Sequence, residues 1–287
     1  MSLLAQQLVL AILLGGVYVA VAIGFSLVWG ILNIINLSHG AFIVVGAYIT
    51  WTLFGRLGLD PFLSLPIDAA ALFALGYLLQ RGLINRVIRA PVFFTLLLTF
   101  GVNLAIVNLL LAVFTSDFRS VTPPYAGSGI VLGPVVIPSI RLAAFAIALL
   151  LAALLSLLMR RTRIGAAIQA VASDRDAAQL VGIDLRHTYA LTYGIGAACA
   201  GVAGGLLSTV QAISPTAGEP YTLQAFVVVV LGGLGSVTAT VVGGLLFGLI
   251  EVFGQSAPGL GAGYANAIAF AVLVIVLIVR PQGLLGR

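Results

Sequence analysis

The residue types that do chemistry are few in this chain and badly spaced for it. His39 and His187 are the only histidines and Cys199 the only cysteine among 287 residues. His39 has no second histidine or carboxylate at metal-ligand spacing, and His187 stands alone where an apolar run begins. Cys199 lies among Ala and Gly; a lone cysteine excludes a disulfide framework and a cysteine metal site, and fits a small packing position. No serine–histidine–acid set, paired carboxylates in an apolar run or metal motif occurs, so no enzyme is expected. What remains is charge. Residues Arg160 to His187 hold eight of the 21 charged side chains, between long apolar segments. The chemistry open to such a polar island is docking to something soluble.

The elements that position the island are set by composition. Hydrophobic residues make up 61% of the chain and charged ones 7%, against about 25% in soluble domains. Only a bilayer can solvate so much apolar surface. The apolar runs are continuous rather than alternating, which selects helices over a barrel. The fold class expected is all-α: a polytopic transmembrane bundle, a single domain over 1–287, with about eight long helices plus one short or re-entrant segment. Long helices are read at about 5–31, 38–56, 62–80, 92–116, 139–159, 188–212, 235–253 and 262–280, and the short run at 222–231. The N-terminal run lacks a basic n-region and is read as the first helix, not a signal peptide. The Pro- and Gly-containing stretch 116–138 is read as irregular outer chain, either a landing surface or a connector.

Arginine placement predicts orientation. With the island cytoplasmic, Arg81, Arg86, Arg89, Arg280 and Arg287 join its five arginines inside, leaving Arg56, Arg119 and Arg141 outside. The positive-inside rule then puts the N-terminus outside and the C-terminus in the cytoplasm of a bacterial inner membrane. Opposite termini require an odd number of crossings, so the short run counts as a ninth.

Within the island, about 160–187, two short helices are expected at 163–172 and 174–181. Ser173 begins a capping-box-like start for the second, and Gly182 followed by Ile183 ends it. Ile164, Ala167, Ala170 and Val171 can share one face of the first, and Ala166, Ala167, Ala177 and Ala178 allow close approach by another surface. The pair could lie on lipid headgroups through Arg160, Arg161 and Arg163; the mixed charge of the second helix tilts the reading toward a protein partner.

Polar groups inside the spans are costly in lipid. Asp68, two turns into the third helix, either faces a bundle partner or sits near the outer interface, and the second is favoured. Asn33, Asn36 and His39 form a polar turn between the first two helices. With Asn103 and Asn108 on the fourth, they are candidates for a translocation path, although interhelical hydrogen bonding explains the last two as well. Gly232, Gly233 and Gly235 lack the lysine and βα context of a phosphate loop and read as a helix break or packing contact. Gly244 and Gly248, like Gly201 and Gly205, form small-xxx-small pairs for tight packing, with gating as a co-function. A weak echo between Gly16–Tyr48 and Gly204–Gly248 would suit a transporter repeat.

Four stretches carry a family resemblance. Arg163-x-Gly165-x-Ala167, with Ala177-Ala178-x-x-x-Gly182-Ile183, resembles the coupling loop of branched-chain amino acid ABC importer permeases. Asn36–Phe42 with Gly46-Ala47-Tyr48, Leu231–Ser236 with Gly243-Gly244, and Arg280–Gly286 resemble the family's early, late-glycine and C-terminal motifs. Together they span essentially the whole chain, and its length is similar to that of the shorter, H-type permease. The resemblance implies that Arg163, Gly165, Ala167, Ala170, Asp174, Ala177, Ala178 and Gly182 belong to an element seated in a groove of an ATPase subunit. It also implies a related permease partner (a heterodimer), two cytoplasmic ABC ATPases and a periplasmic binding protein. ATP is then used by the partners, and this chain binds no cofactor. The glutamate known from the loop of other ABC importers is missing, so the contact should rest on shape and small residues. A same-architecture importer of urea or short amides is the alternative substrate reading, and an ion-coupled carrier using Asp68 the alternative class.

Overall fold

The computed structural model describes residues 2–87, 90–256, 265–280 and 282–285. Arg89, Arg287, Pro281 and Gly286, used above for orientation or resemblance, lie outside them. Seven described helices are long and apolar enough to cross a bilayer. They are α1 (Ser2–Leu32), α2 (His39–Leu57), α3 (Pro61–Val87), α4 (Val92–Phe114), α5 (Ser139–Arg161), α8 (Leu185–Val210) and α10 (Val237–Gln255). Four shorter helices complete the set: α6 (Arg163–Ser173), α7 (Arg175–Leu180), α9 (Gly218–Gly232) and α11 (Ala265–Val279). The expected eighth long helix, 262–280, is therefore described as 15 residues, with 262–264 outside the described part.

The centre of the bundle is α1 and α8. Burial covers 83% of the most apolar stretch of α8 but only 17% of that of α4, which stands at the edge. Glycines make the centre possible, because interfaces between membrane helices need small residues where backbones meet. An added Cβ at Gly204 would stand 1.9 Å from the Ile43 carbonyl of α2, and one at Gly248 2.5 Å from the Ala11 carbonyl of α1. Gly244 packs on Val19 and Gly15 in the same α1–α10 seam.

Contacts at the helix ends sort the loops onto two sides. On one side Gln6 of α1 exchanges two 2.8 Å bonds with the Val136 backbone, and Tyr125 donates to Asp60 at 2.6 Å. Burial and then the Asp60 carboxylate push the Tyr125 hydroxyl well above its usual range. Arg119 and Ile213 bridge as an isolated antiparallel pair on this side too. The stretch 116–138, expected to be irregular, contains a hairpin of β1 (Gly129–Leu132) and β2 (Val135–Pro138). Gly133 at φ +59° followed by Pro134 supplies its two-residue turn. On the other side lie the ends of α1 and α3, the α6–α7 island and the link between α9 and α10.

Two helices begin inside the bundle. α1 continues eleven residues, about 16 Å, beyond Val21, yet His39 at the start of α2 bonds the Val21 carbonyl at 2.8 Å. Residues 33–38 therefore run back from the end of α1 into the interior as non-helical chain. In the second half, 211–217 returns from the far end of α8 in the same way, and α9 starts against α2. The Gly40 N–H donates to Thr222 Oγ1 at 2.8 Å, and a Cβ at Gly40 would fall 1.8 Å from the Gly218 carbonyl. The short run at 222–231 is thus the inner part of a 15-residue helix, preceded by the non-helical lead 211–217. Its first turn, Gly218-Glu219-Pro220, is not apolar, which hid it from a hydropathy reading; proline is tolerated there and Glu219 complements the helix dipole. α1–break–α2 and α8–break–α9 share one order of elements, a long helix, a non-helical stretch and a further helix.

The late glycine motif and the tail meet. Leu284 N–H and Leu285 N–H donate to the Leu231 and Gly232 carbonyls at 3.0 and 2.9 Å. These are orphan carbonyls of the α9 C-terminus, satisfied by the chain's own end. Gly232 packs on the Ala239 carbonyl, and Gly233 and Gly235 turn with φ +122° and +75° into the Ser236 cap of α10.

Candidate functional site

The island folds as a helical hairpin pressed onto the bundle. Thr162 caps α6, its hydroxyl accepting from Gly165 N–H at 3.0 Å. Gly165 is required by contact: a Cβ there would meet the Leu158 and Met159 carbonyls of α5 at 2.4 and 2.5 Å. This approach turns the buried face of α6 to Gly165, Ile168 and Val171, with Ala167 and Ala170 half-buried. Ile164, expected on that face, is exposed, and Ile168 fills a core with Ile23, Leu27, Leu155 and Cys199.

The cap of α7 is Asp174, not Ser173. Its carboxylate accepts from Asp176 N–H and Ala177 N–H at 2.9 and 3.0 Å, while Ser173 bonds back to the Gln169 carbonyl inside α6. Asp174 wins because its residue has the extended backbone of a cap, φ −154°. The far end closes as expected: Gly182 takes φ +86° and Ile183 N–H reaches the Ala178 carbonyl at 3.0 Å. Ala178 is buried, so it and Gly165 face the bundle. The surface left outside carries Arg163, Asp174, Ala177 and Gly182, with Leu180 and Val181 at 89% and 76% exposure. These two bare aliphatic side chains, at the C-terminal end of α7, were not singled out from the sequence.

One arginine ties the hairpin to the interior. Arg175 Nη2 donates to the Leu32 carbonyl, the last residue of α1, at 3.1 Å, and the guanidinium lies 5.7 Å from the Tyr189 ring of α8. The next residue, Asn33, has φ +52° and opens the break. Three residues on, Asn36 Oδ1 accepts from Ser38 N–H (3.1 Å), Ser38 Oγ (2.6 Å) and Tyr193 OH (2.9 Å). Thr99 of α4 closes the same node, donating to the Ile35 carbonyl at 3.2 Å and accepting from Leu37 N–H at 3.3 Å.

The path candidates therefore divide. Asn36 and His39 are buried together, and Asn103 shares a buried stripe with Thr95 and Thr99 at helical spacing. Asn33 is exposed at the break, and Asn108 is exposed on another face of α4, its amide spent on the Leu104 carbonyl. Ser38, Thr99, Tyr193 and Thr222 were missed; the Thr95–Thr99–Asn103 spacing of four was the available signal. Asp68 does not reach an interface. It is fully buried, accepts from Thr50 Oγ1 at 2.6 Å, and is approached by α8 at Gly205. The glycine motif 232–235 and Gly244 and Gly248 lie away from this node, in helix seams. No cluster of three metal-ligating side chains occurs among the described residues.

A multi-pass helix bundle with buried backbone breaks and a docked polar hairpin is the architecture of a membrane permease. The sequence profile described as branched-chain amino acid transport system, permease component, matches residues 7–277, and the chain belongs to that family. It is 34% identical to the high-affinity branched-chain amino acid transport system permease protein BraD of Pseudomonas aeruginosa, over 98% of this chain and 95% of BraD. It is 31% identical to the LivH permease of the corresponding Escherichia coli system, again over 98% and 95%. The LivM permease of the same bacterium matches at 26% over 94% of this chain and 68% of its own. No solved structure matches.

Proposed function

We propose that the protein is the H-type permease subunit of an ATP-driven importer of branched-chain amino acids. It pairs with a LivM-like permease, and two cytoplasmic ATPases dock on the α6–α7 hairpin while a periplasmic protein delivers substrate to the opposite side. The carrying observation is the hairpin: Leu180 and Val181 stand bare at the end of α7, whose first residue, Arg175, bonds α1. The arginine bias supports a cytoplasmic hairpin with the N-terminus outside. ATP is hydrolysed by the partners, and this chain binds none. Differential binding of the hairpin to two ATPase states is all that coupling requires.

The test is purification of the assembled complex and uptake into proteoliposomes with labelled leucine and labelled urea. Leucine uptake that requires ATP is expected, with ATPase subunits retained by the native complex and lost from Leu180→Arg/Val181→Arg. Urea uptake in place of leucine overturns the substrate. Uptake driven by a proton gradient without ATP overturns the class.

A further inference from the structure

A basic groove of about 1140 Å³ lies where α3 and α8 leave the bundle beside α7. Arg81 and Arg86 of α3 stand on one wall; Arg175 and Arg186 stand on the other, with Asp176 and Asp184. Asp184 is already engaged, one oxygen accepting from Arg186 N–H and His187 N–H as the cap of α8. None of the four guanidiniums has a carboxylate within ion-pair distance among the described residues. Arg81 donates to Tyr77 OH at 2.7 Å, which also contacts His187 Nδ1 at 3.0 Å, and Asn85 donates to the Arg186 carbonyl at 3.1 Å. These bonds fix the two walls relative to each other, so the groove is a built feature.

The backbone of α3 contributes to the same end. Residues Gln80–Ile84 form a π-helical turn. In an uninterrupted α-helix Arg81 and Arg86 would point about 140° apart. The i→i+5 pattern brings residues five apart toward one face, and π turns of this kind recur at functional sites. Both arginines then line one cavity. Beside them α3 exposes Leu78 and Leu83, at 65% and 40%.

We infer that the groove holds the phosphate headgroup of an anionic glycerophospholipid, with its acyl chains lying against the exposed Leu78–Leu83 face of α3. A guanidinium pair suits a phosphate because its planar donors can bind two oxygens at once. The lipid is favoured over an acidic protein segment because one wall of the groove is the end of α3, a largely bare span. Basic pockets between membrane helices are places where lipid headgroups bind. The inference does not depend on the substrate; the proposed orientation enters only in assigning the lipid to the cytoplasmic leaflet.

The test is native mass spectrometry of the intact complex from vesicles of phosphatidylcholine with phosphatidylglycerol. The native complex should retain phosphatidylglycerol. Arg81→Ala/Arg86→Ala should weaken retention about thirty-fold, from roughly fivefold per lost arginine, whereas Arg81→Lys/Arg86→Lys, which keeps the charge but not the planar donors, should restore part of it. Arg160→Ala/Arg161→Ala removes equal charge on the same side but outside this groove and should retain the lipid. Equal retention by every variant, or equal loss from both alanine pairs, overturns the inference. Displacement of the lipid by millimolar inorganic phosphate, or by the ATPase subunits on assembly, overturns it too.

Discussion

Arg175→Ala separates a hairpin that transmits force from one that only adheres. In the native chain the guanidinium bonds the last carbonyl of α1 at 3.1 Å and lies 5.7 Å from the Tyr189 ring. A charge-assisted bond contributes about 1.5–3 kcal/mol, and the half-buried position of Arg175 argues for the lower end. The ring contact adds roughly 0.5 kcal/mol. Their sum, about 2 kcal/mol, corresponds to about thirty-fold in the equilibrium between hairpin docked on α1 and hairpin detached. If ATPase closure acts through this contact, Arg175→Ala hydrolyses ATP but moves less leucine per ATP. The assay measures both rates in proteoliposomes, with hydrogen exchange across 33–38 as a structural readout. Arg175→Lys keeps a charged donor and should recover much of the ratio. A native leucine-to-ATP ratio in Arg175→Ala, or exchange at 33–38 unchanged from the native chain, would refute the transmission route.

Three other substitutions test the interior. Gly204→Ala drives a Cβ to 1.9 Å from the Ile43 carbonyl, and should destabilise by about 3 kcal/mol or more, because two backbones must part. Gly55→Ala, with nothing within 4 Å, should be neutral or gain up to about 1 kcal/mol from helix propensity; thermal unfolding in detergent compares the two. Asp68→Asn keeps the Thr50 bond and costs about 1 kcal/mol for a new buried amide donor, with ATP-driven leucine uptake intact. Loss of uptake in that variant would return the acid to a transport role. Tyr193→Phe removes one of three donors to Asn36 Oδ1 and should cost about 1 kcal/mol in unfolding free energy, leaving the two Ser38 bonds in place.

The long helices were legible because lipid leaves the backbone only one local solution, and twenty apolar residues announce it. The hairpin was legible for a different reason: Gly182 and Ile183 act on their own neighbours, so their signals are local. Even there the Ser173–Asp174 choice failed, since both side chains can cap and only the backbone angle decides. The face of α6 was misplaced by one residue because Gly165 touches α5, a tertiary fact. The β1–β2 hairpin escaped because its Gly133-Pro134 turn stood in a stretch already rich in both residues. Asp68 was placed at the interface on average cost; its real partner, Thr50, lies 18 positions away on another helix.

The least legible features, the two breaks, are also the ones that connect the parts. Residues 33–38 look polar enough for a loop, and 211–217 for another, so hydropathy assigns both to water. Packing buries Ile34, Asn36 and Ser38 of the first and Ile213, Ser214 and Pro215 of the second, and non-helical backbone persists there only if protein satisfies it. Here Thr99 binds Leu37 N–H and the Ile35 carbonyl, and Thr222 binds Gly40 N–H. The two helix starts press so closely, with Gly40 against Gly218, that α2 and α9 have no slack to move independently. A shift of the α1 end at Leu32 therefore has one outlet, the six residues before His39. Those residues carry the Asn36–Ser38–Tyr193 node, so the same short segment joins the hairpin contact to the most polar point of the interior.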